Sequence, residues 1–189
     1  VFVLKGYSGC GKTTLVNHLL LGLDNFIEAA KLIGAGLDKY DVKLTATTNK
    51  AAENLANITN KEAQTIHSLL SLRVHTDYKT NTTRLIPRNH DPIVNTIVFI
   101  DEASQVDSDL LNHIFTKLEN CKTIIIGAPA QLIAVKAKNA VVFEADFPSA
   151  SLTEVVRQAE GNPIVNLSTM FRNTVNTGKF FKFVPDGVF

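Results

Sequence analysis

The sequence has little of what a disulfide-stapled, zinc-binding or membrane-spanning protein requires. Its 189 residues include two cysteines, Cys10 and Cys121, with no C-x-x-C pair and no paired Cys/His spacing. This excludes a disulfide framework and a zinc site of the usual spacing, and it favours a reducing, intracellular setting. No apolar stretch approaches the roughly 20 residues that cross a bilayer, and the first residues do not resemble a secretory signal. We therefore expect no membrane partner.

An excess of charge of one sign is also missing. The 19 basic and 18 acidic side chains leave a formal net charge of +1. Bulk electrostatics therefore gives no case for nucleic-acid binding, which would have to depend on a local surface. The length suits one domain, or one domain with an insertion.

The richest signal is a glycine-rich turn near the start of the chain. After the apolar run Val1–Leu4, the segment GYSGCGKT fits G-x-x-x-x-G-K-[ST], the phosphate-binding P-loop. Glycines let backbone N–H groups close around phosphate, the lysine reaches the β- and γ-phosphates, and the threonine hydroxyl can bind Mg²⁺. A glycine-rich turn with a chance lysine is disfavoured, because a strand precedes the motif and an amphipathic helix follows it. The predicted nucleotide-binding residues are Gly6, Ser8, Gly9, Cys10, Gly11, Lys12, Thr13 and Thr14.

Apolar strands alternate with amphipathic helices along most of the chain, which predicts an α/β fold: a parallel sheet covered by helices. Strands are predicted at residues 1–4, 42–47, 96–100, 123–126 and 151–155. Helices are predicted at residues 13–23, 26–33, 50–57 and 62–72, after Asp107 or Ser108, and from Asn162. Residues 73–95 alternate loosely between polar and apolar and contain β-favouring residues. This pattern predicts an inserted β-hairpin, with a long irregular loop as the alternative.

An acidic pair follows the third predicted strand. Asp101 can hold Mg²⁺ and Glu102 can orient or deprotonate an attacking water, as a P-loop enzyme requires. Gln131 could bind the γ-phosphate or the water, although a lone glutamine is more often a solvated loop residue. Arg157 could neutralise charge on the transferred phosphoryl group, although a lone arginine is more often salt-bridged at the surface.

Six segments then carry a resemblance to a known family. GYSGCGKTT, TATTNKAAENLA, AQTIHSLL, VFIDEAS, GAPAQLIAV and LTEVVRQAEGNPIVNLSTMFRNT stand in the order and spacing of helicase motifs I, Ia, Ib, II, III and IV. The chain resembles the first RecA-like domain of superfamily 1B DNA helicases of the RecD-like and Dda-like type. The resemblance implies ATP and Mg²⁺ as cofactors, Gln131 as γ-phosphate sensor and Arg157 as the motif IV arginine. It also implies 5′ to 3′ movement on single-stranded DNA, contacted by Thr48, Asn49, Lys50, Thr65 and His67.

The same resemblance implies a domain arrangement. Residues 1–72 and 96–189 correspond to the RecA-like ATPase domain, and residues 73–95 to a pin that splits the duplex, with Tyr78 as its base-stacking residue. The second RecA-like domain is not in this sequence, so we expect a piece of a larger protein that hydrolyses ATP slowly by itself. Motif III departs from the family pattern, because Ala128 stands where an aspartate is usual.

Three functions are compatible with these features. The leading hypothesis is the motor domain of an ATP-dependent helicase that acts on single-stranded and fork DNA in replication, repair or recombination. We expect it to be monomeric, in the cytoplasm of a bacterial or phage-infected cell, with replication or recombination proteins as further partners. The alternative is a nucleotide-gated DNA-binding module with little hydrolysis of its own. A P-loop kinase is disfavoured, because no acceptor-binding lid is evident.

Overall fold

A computed structural model describes residues 1–35, 40–77, 82–89, 91–129 and 141–154, together with six positions further on. Those six positions are Leu167, Met170, Phe171, Thr174, Thr177 and Gly178. The first half of the chain contains β1 (Phe2–Gly6), α1 (Lys12–Leu32), β2 (Asp41–Ala46), α2 (Asn49–Thr59), β3 (Ala63–Thr65), α3 (Ile66–Leu69), β4 (Leu72–Asp77) and β5 (Thr82–Pro87). The second half contains β6 (Ile93–Val94), β7 (Thr96–Asp101), α4 (Ser108–Lys117), β8 (Leu118–Glu119), β9 (Lys122–Gly127), α5 (Val141–Glu144) and β10 (Ser149–Leu152).

Six of the described strands form one parallel sheet, in the order β10, β1, β9, β7, β2, β3. Parallel neighbours need a crossover connection, and helices that provide it cover both faces of the sheet. The central strands β7 and β9 accordingly read as apolar runs, TIVFID and KTIIIG, rather than as an alternating pattern. The predicted α/β class with a parallel, helix-covered sheet is confirmed.

Side-chain alternation along the strands divides the core into two layers. Leu4 and Phe99 pack with residues of α1 and α2 on one face of the sheet. Val3 and Val98, each one position away, pack with residues of α4 on the other face. Because successive strand residues point to opposite faces, a single apolar strand contributes to both layers. The sheet is thereby held between two sets of helices, and the carboxyl ends of its strands meet at one edge.

The inserted segment contains an antiparallel β-hairpin. Strands β4 and β5 pair from Leu72 opposite Pro87 to Asp77 opposite Thr82. A backbone bond from Arg88 N to Ser71 O, 2.8 Å long, closes the base of the hairpin. The predicted hairpin is therefore confirmed over the irregular loop. No helix in the parts of the chain described above has the length and apolar content needed to cross a membrane.

Two helix predictions were wrong. The helices predicted at residues 13–23 and 26–33 are one helix, α1, because the polar residues Asp24 and Asn25 between them are accommodated at the surface. The helix predicted at residues 62–72 begins instead as the edge strand β3, which pairs with β2, and only then continues as the short helix α3. Pairing with a neighbouring strand outweighs the weak helix propensity of this segment.

Smaller differences concern element ends and exposed faces. The last sheet strand is Ser149–Leu152, two residues earlier than predicted at its start. Leu19 on α1 and Phe115 on α4 have the helical spacing of core residues, but they are 46% and 43% exposed. The start of the helix predicted from Asn162 lies outside the described residues.

Candidate functional site

The P-loop connects β1 to α1 and has the backbone conformation that its glycines permit. Gly9 and Gly11 have φ angles of 84° and 76°, in the left-handed region that residues with a Cβ rarely adopt. Gly11 is also the N-cap of α1, and no side chain caps that helix end. The positive end of the α1 dipole therefore lies at the loop, as an anion-binding helix end requires.

Lys12 is the first residue of α1 and lies over the loop. Its Nζ donates a 2.8 Å hydrogen bond to Tyr7 O. The first turn of α1 contains no acidic residue. The ammonium group and the positive end of the helix dipole thus add to each other at the point where a phosphate would bind.

One pocket brings the P-loop and the acidic pair together. Its walls come from the P-loop and the first turn of α1, from the carboxyl ends of β7 and β9, and from one face of α2. The residues that line it are Ser8, Gly9, Gly11, Lys12, Thr13, Thr14, Ala51, Asn54, Ile58, Asp101, Glu102 and Gly127. Two predicted nucleotide-binding residues lie behind this surface. Cys10 is buried, and Gly6 packs so closely on the neighbouring strand that an added Cβ would lie 3.2 Å from Leu152 Cβ.

Asp101 is a nearly buried carboxylate at the end of β7, with 7% of its surface exposed. Burial raises its pKa, while the N–H of Glu102, which donates to Asp101 Oδ1 at 2.8 Å, and the nearby charge of Lys12 act in the opposite direction. The Thr13 hydroxyl lines the same pocket. Mg²⁺ prefers oxygen ligands, of which a protein often supplies one or two while substrate phosphates and water supply the rest. A hydroxyl and a buried carboxylate at a phosphate-binding loop fit that ion.

Glu102 has an unusual backbone conformation. Its φ of 55° lies in the left-handed region, which is uncommon and costly for a residue with a side chain other than Asn or Asp, and such residues cluster at functional sites. Its carbonyl accepts a 3.2 Å hydrogen bond from Thr47 Oγ1. The turn at Glu102 directs the chain from β7 into the 3-10 turn Ala103–Gln105, and the residue lines the pocket beside Asp101.

The residues predicted to contact DNA lie at the ends of β2 and β3, next to this pocket. Ala46 at the end of β2 is in register with Thr65 on β3 and with Asp101 on β7. Thr48 is the N-cap of α2 and accepts from Ala51 N at 3.2 Å, while Thr65 is the N-cap of α3 and accepts from Ser68 N at 3.1 Å. Two helix N-termini thus begin side by side at one edge of the sheet.

The other three residues of this group differ in exposure. Asn49 and Lys50, in the first turn of α2, are exposed. His67 on α3 is partly buried, and burial lowers its pKa, against the charge of Asp107, which raises it. The predicted group therefore presents an exposed amide, an exposed ammonium and an imidazole whose neutral form is favoured.

The sequence missed the contribution of α2 to the pocket. Ala51, Asn54 and Ile58 lie three and four residues apart, so they share one face of the helix that lines the site. This spacing was the available signal, but it is also the spacing of an ordinary core face. Gln131, Arg157 and Tyr78 lie outside the described residues, and their roles stay predictions.

A P-loop at the carboxyl edge of a parallel sheet, with an acidic pair at the end of the strand two positions away in the same sheet, defines a P-loop nucleotide-binding domain. The AAA domain family matches residues 1–181 of the chain, which belongs to it.

Three relatives with similar sequences are DNA helicases or a subunit of the RecBCD enzyme. The chain is 30% identical to the ATP-dependent RecD2 DNA helicase of Deinococcus radiodurans over 166 residues, 86% of this chain and 20% of RecD2. It is 30% identical to the ATP-dependent DNA helicase dda of Enterobacteria phage T4 over 177 residues, 90% of this chain and 37% of that protein. It is 29% identical to the RecBCD enzyme subunit RecD of Haemophilus influenzae over 157 residues, 71% of this chain and 22% of RecD. The chain thus spans between about a fifth and two fifths of these relatives, and the predicted RecD-like and Dda-like resemblance is confirmed.

Solved structures agree on the fold. The crystal structure of Pif1 helicase from Candida albicans superposes with a TM-score of 0.58 at 20% identity, covering 99% of this chain and 42% of Pif1. The Arterivirus nonstructural protein 10 helicase, solved in complex with DNA, gives a TM-score of 0.53 at 13% identity, covering 91% of this chain and 40% of that protein. The RecA-like P-loop fold is thereby confirmed.

Proposed function

We propose that the chain is the nucleotide-binding motor domain of an ATP-dependent DNA helicase that moves 5′ to 3′ on single-stranded DNA. One observation carries the proposal. The phosphate loop and the acidic pair share a pocket, and two helix N-termini begin on the adjoining strands of the same sheet edge. Phosphate chemistry and a strand of DNA would therefore meet on neighbouring strands of one rigid sheet.

The roles of the pocket residues follow from their chemistry. Lys12 would neutralise the β- and γ-phosphates, and Thr13 and Asp101 would hold Mg²⁺. The bound ion supplies charge stabilisation for the transferred phosphoryl group. Glu102 would orient the attacking water and accept its proton. By the family resemblance, Gln131 would sense the γ-phosphate and Arg157 would stabilise the developing charge.

The proposed DNA contacts are backbone N–H groups of α2, two exposed polar side chains and the ring of His67. The hydroxyls of Thr48 and Thr65 are already engaged as helix caps, so these residues would act by fixing the first turns of their helices. The first-turn N–H groups of α2, with the exposed Asn49 and Lys50, suit DNA phosphates. The neutral ring of His67 suits contact with a sugar or a base.

The hairpin β4–β5 supports a role as the pin that separates the duplex. It is a two-stranded ribbon inserted between α3 and β7, and Tyr78 follows its first strand in the sequence. In this proposal residues 73–95 form the pin, and residues 1–72 and 96–189 form the ATPase domain. Replication or recombination proteins would be its partners.

The direct test is ATP hydrolysis by the full-length protein with and without single-stranded DNA. Lys12→Ala and Glu102→Gln should each lower turnover by at least about a hundredfold, since a general base alone contributes on the order of 10²–10⁴. Only Lys12→Ala should also weaken nucleotide binding substantially, because it removes the charge that holds phosphate. Lys61→Ala, which removes an exposed lysine paired with Asp24 away from the pocket, is the matched control. Unchanged turnover in the Glu102→Gln protein would contradict the assignment.

A further inference from the structure

A side-chain hydrogen bond joins the two parts of this site, the start of α2 and the acidic pair. Thr47 Oγ1 donates to Glu102 O at 3.2 Å. Thr47 lies between Ala46, the last residue of β2, and Thr48, the N-cap of α2. We propose that Thr47 is the positioning residue through which single-stranded DNA at the start of α2 controls the orientation of Glu102. This inference rests on the proposed helicase function.

Glu102 is suited to such control because its backbone must be held in place. A residue with a Cβ leaves the left-handed region unless surrounding contacts keep it there. Its N–H donates to Asp101 Oδ1 at 2.8 Å, and its carbonyl accepts from Gln105 N at the long distance of 3.3 Å as well as from Thr47. The Thr47 hydroxyl thus fixes the carbonyl of the residue whose side chain would position the water.

Thr47 is in turn tied to the first turn of α2. The next residue, Thr48, accepts from Ala51 N through its hydroxyl at 3.2 Å and from Ala52 N through its carbonyl at 3.0 Å. Ala51 itself lines the nucleotide pocket. A phosphate bound to the first turn of α2 would therefore move or stiffen a unit that touches both Glu102 and the nucleotide.

Strand β2 itself offers a matched control. Thr45, which lies on β2 two residues before Thr47, is fully buried and donates to Phe99 O on β7 at 2.7 Å. Like Thr47, it donates from a threonine hydroxyl to a backbone carbonyl of the segment 96–102, but not to the residue that would position the water. Thr45→Val should therefore lower thermal stability while leaving stimulation by DNA in place.

The experiment measures kcat and KM for ATP, with and without an oligo-dT strand, and the Kd of a labelled oligo-dT by fluorescence anisotropy, in the full-length protein. Thr47→Val keeps the side-chain shape and removes the donor. It should lower DNA-stimulated kcat by about three- to tenfold, the effect of one hydrogen bond on a barrier. The oligo-dT Kd and the KM for ATP should not change, and Thr47→Ser should restore kcat.

Three results would overturn the inference: normal stimulation in Thr47→Val, no rescue by serine, or an equal loss in Thr45→Val. A fall in oligo-dT affinity that accounts for the lost turnover would also overturn it, because Thr47 would then act in DNA binding. A wild-type protein that DNA does not stimulate would overturn the proposed function itself. The two failures are therefore distinguishable.

Discussion

The nucleotide pocket and the proposed DNA edge lie at the same end of the sheet but use different chemical groups. The DNA edge is the set of residues at the ends of β2 and β3 that are predicted to contact DNA: Thr48, Asn49, Lys50, Thr65 and His67. In the pocket, charged side chains face the ligand site, and Asp101 is nearly buried there. At the DNA edge, the hydroxyls of Thr48 and Thr65 cap helices α2 and α3, and the side chains of Asn49 and Lys50 in the first turn of α2 are exposed. The pocket depends on residue types for their charge, whereas the DNA edge depends chiefly on residue types that can begin a helix.

This difference predicts which substitutions are tolerated. A side chain that contacts phosphate or metal has few substitutes, whereas Ser, Asp and Asn can all replace Thr as a helix cap. We therefore expect severe effects in the pocket and graded effects at the DNA edge.

The largest effect is expected for Asp101→Asn. Asparagine keeps the Oδ1 that accepts from Glu102 N but removes the charge that would bind Mg²⁺. Hydrolysis should fall by at least about a hundredfold, since a bound metal contributes several kcal/mol to such a reaction. The ligand-free protein should become more stable, by about 2–4 °C in melting temperature for a change of about 1 kcal/mol in a domain of this size.

The reason for the gain in stability is the cost of burying a carboxylate. Burial raises the pKa of Asp101, so the charged form destabilises the folded state above the ordinary pKa of 3.8. The gain should shrink as the pH falls and be lost below that value, where Asp101 is protonated in both the folded and the unfolded state. Thermal melts of Asp101→Asn and Glu102→Gln at several pH values would check this, with Glu102→Gln as the inactive control. Equal stability of Asp101→Asn and the wild type at neutral pH would contradict it.

The contrast between the two regions also explains what could be predicted from the sequence. The P-loop, the acidic pair and the apolar strands can be recognised because chemistry or burial fixes their residue types, and the predicted parallel sheet agrees with the fold. Strand β3 was missed because its three residues, Ala63–Thr65, owe their conformation to pairing with β2 and not to their own propensity. The left-handed φ of Glu102 was likewise invisible, because the sequence around it does not demand glycine.

Contacts between segments that are far apart in the chain could not be predicted from the sequence. The bond from Thr47 to Glu102 spans 55 positions, and Asn54 reaches the pocket only because α2 packs beside β2 and β7. The helical spacing of Ala51, Asn54 and Ile58 shows that they share a face, but it does not show what that face contacts. Ala128, the departure from motif III, is 3% exposed, and no pattern in the sequence indicates that burial.

A substitution at Tyr78 tests whether the hairpin β4–β5 is specialised for separating the strands of a duplex. Tyr78→Ala should leave ATPase stimulation by single-stranded DNA unchanged and reduce unwinding of a forked duplex. Stacking of a base on one aromatic ring contributes about 1–3 kcal/mol, enough to alter events at a fork junction. Tyr78→Phe, which keeps the ring, should retain unwinding. Equal loss of both activities, or of neither, would favour an ordinary surface hairpin.

Lys50 tests the exposed charge at the start of α2. Lys50→Ala should weaken oligo-dT binding a few-fold and reduce the slope of log K against log salt by about 0.7, the contribution of one phosphate contact on a single strand. The affinity for nucleotide should stay the same, because the side chain does not line the pocket. Lys61→Ala removes a lysine beyond the other end of α2 and is the control. An unchanged salt slope in Lys50→Ala would remove this residue from the DNA contacts.

The smallest effect concerns His67 and the pH dependence of stability. Burial lowers the pKa of His67 below its ordinary value of 6.5, so below pH 6.5 the unfolded chain binds this proton more readily than the folded one. The free energy of unfolding should therefore rise with pH through the window below 6.5 and become level above it, and His67→Gln should reduce that slope. Asp107 opposes the shift, so Asp107→Asn, which keeps a good helix cap for α4, should steepen the dependence. Urea unfolding between pH 5 and 8 measures both changes, with the exposed His18→Gln as the control. If neither His67→Gln nor Asp107→Asn altered the slope of the unfolding free energy against pH, His67 would be as well solvated as the exposed residues of the DNA edge. The distinction between its neutral ring and the charged Lys50 would then no longer hold.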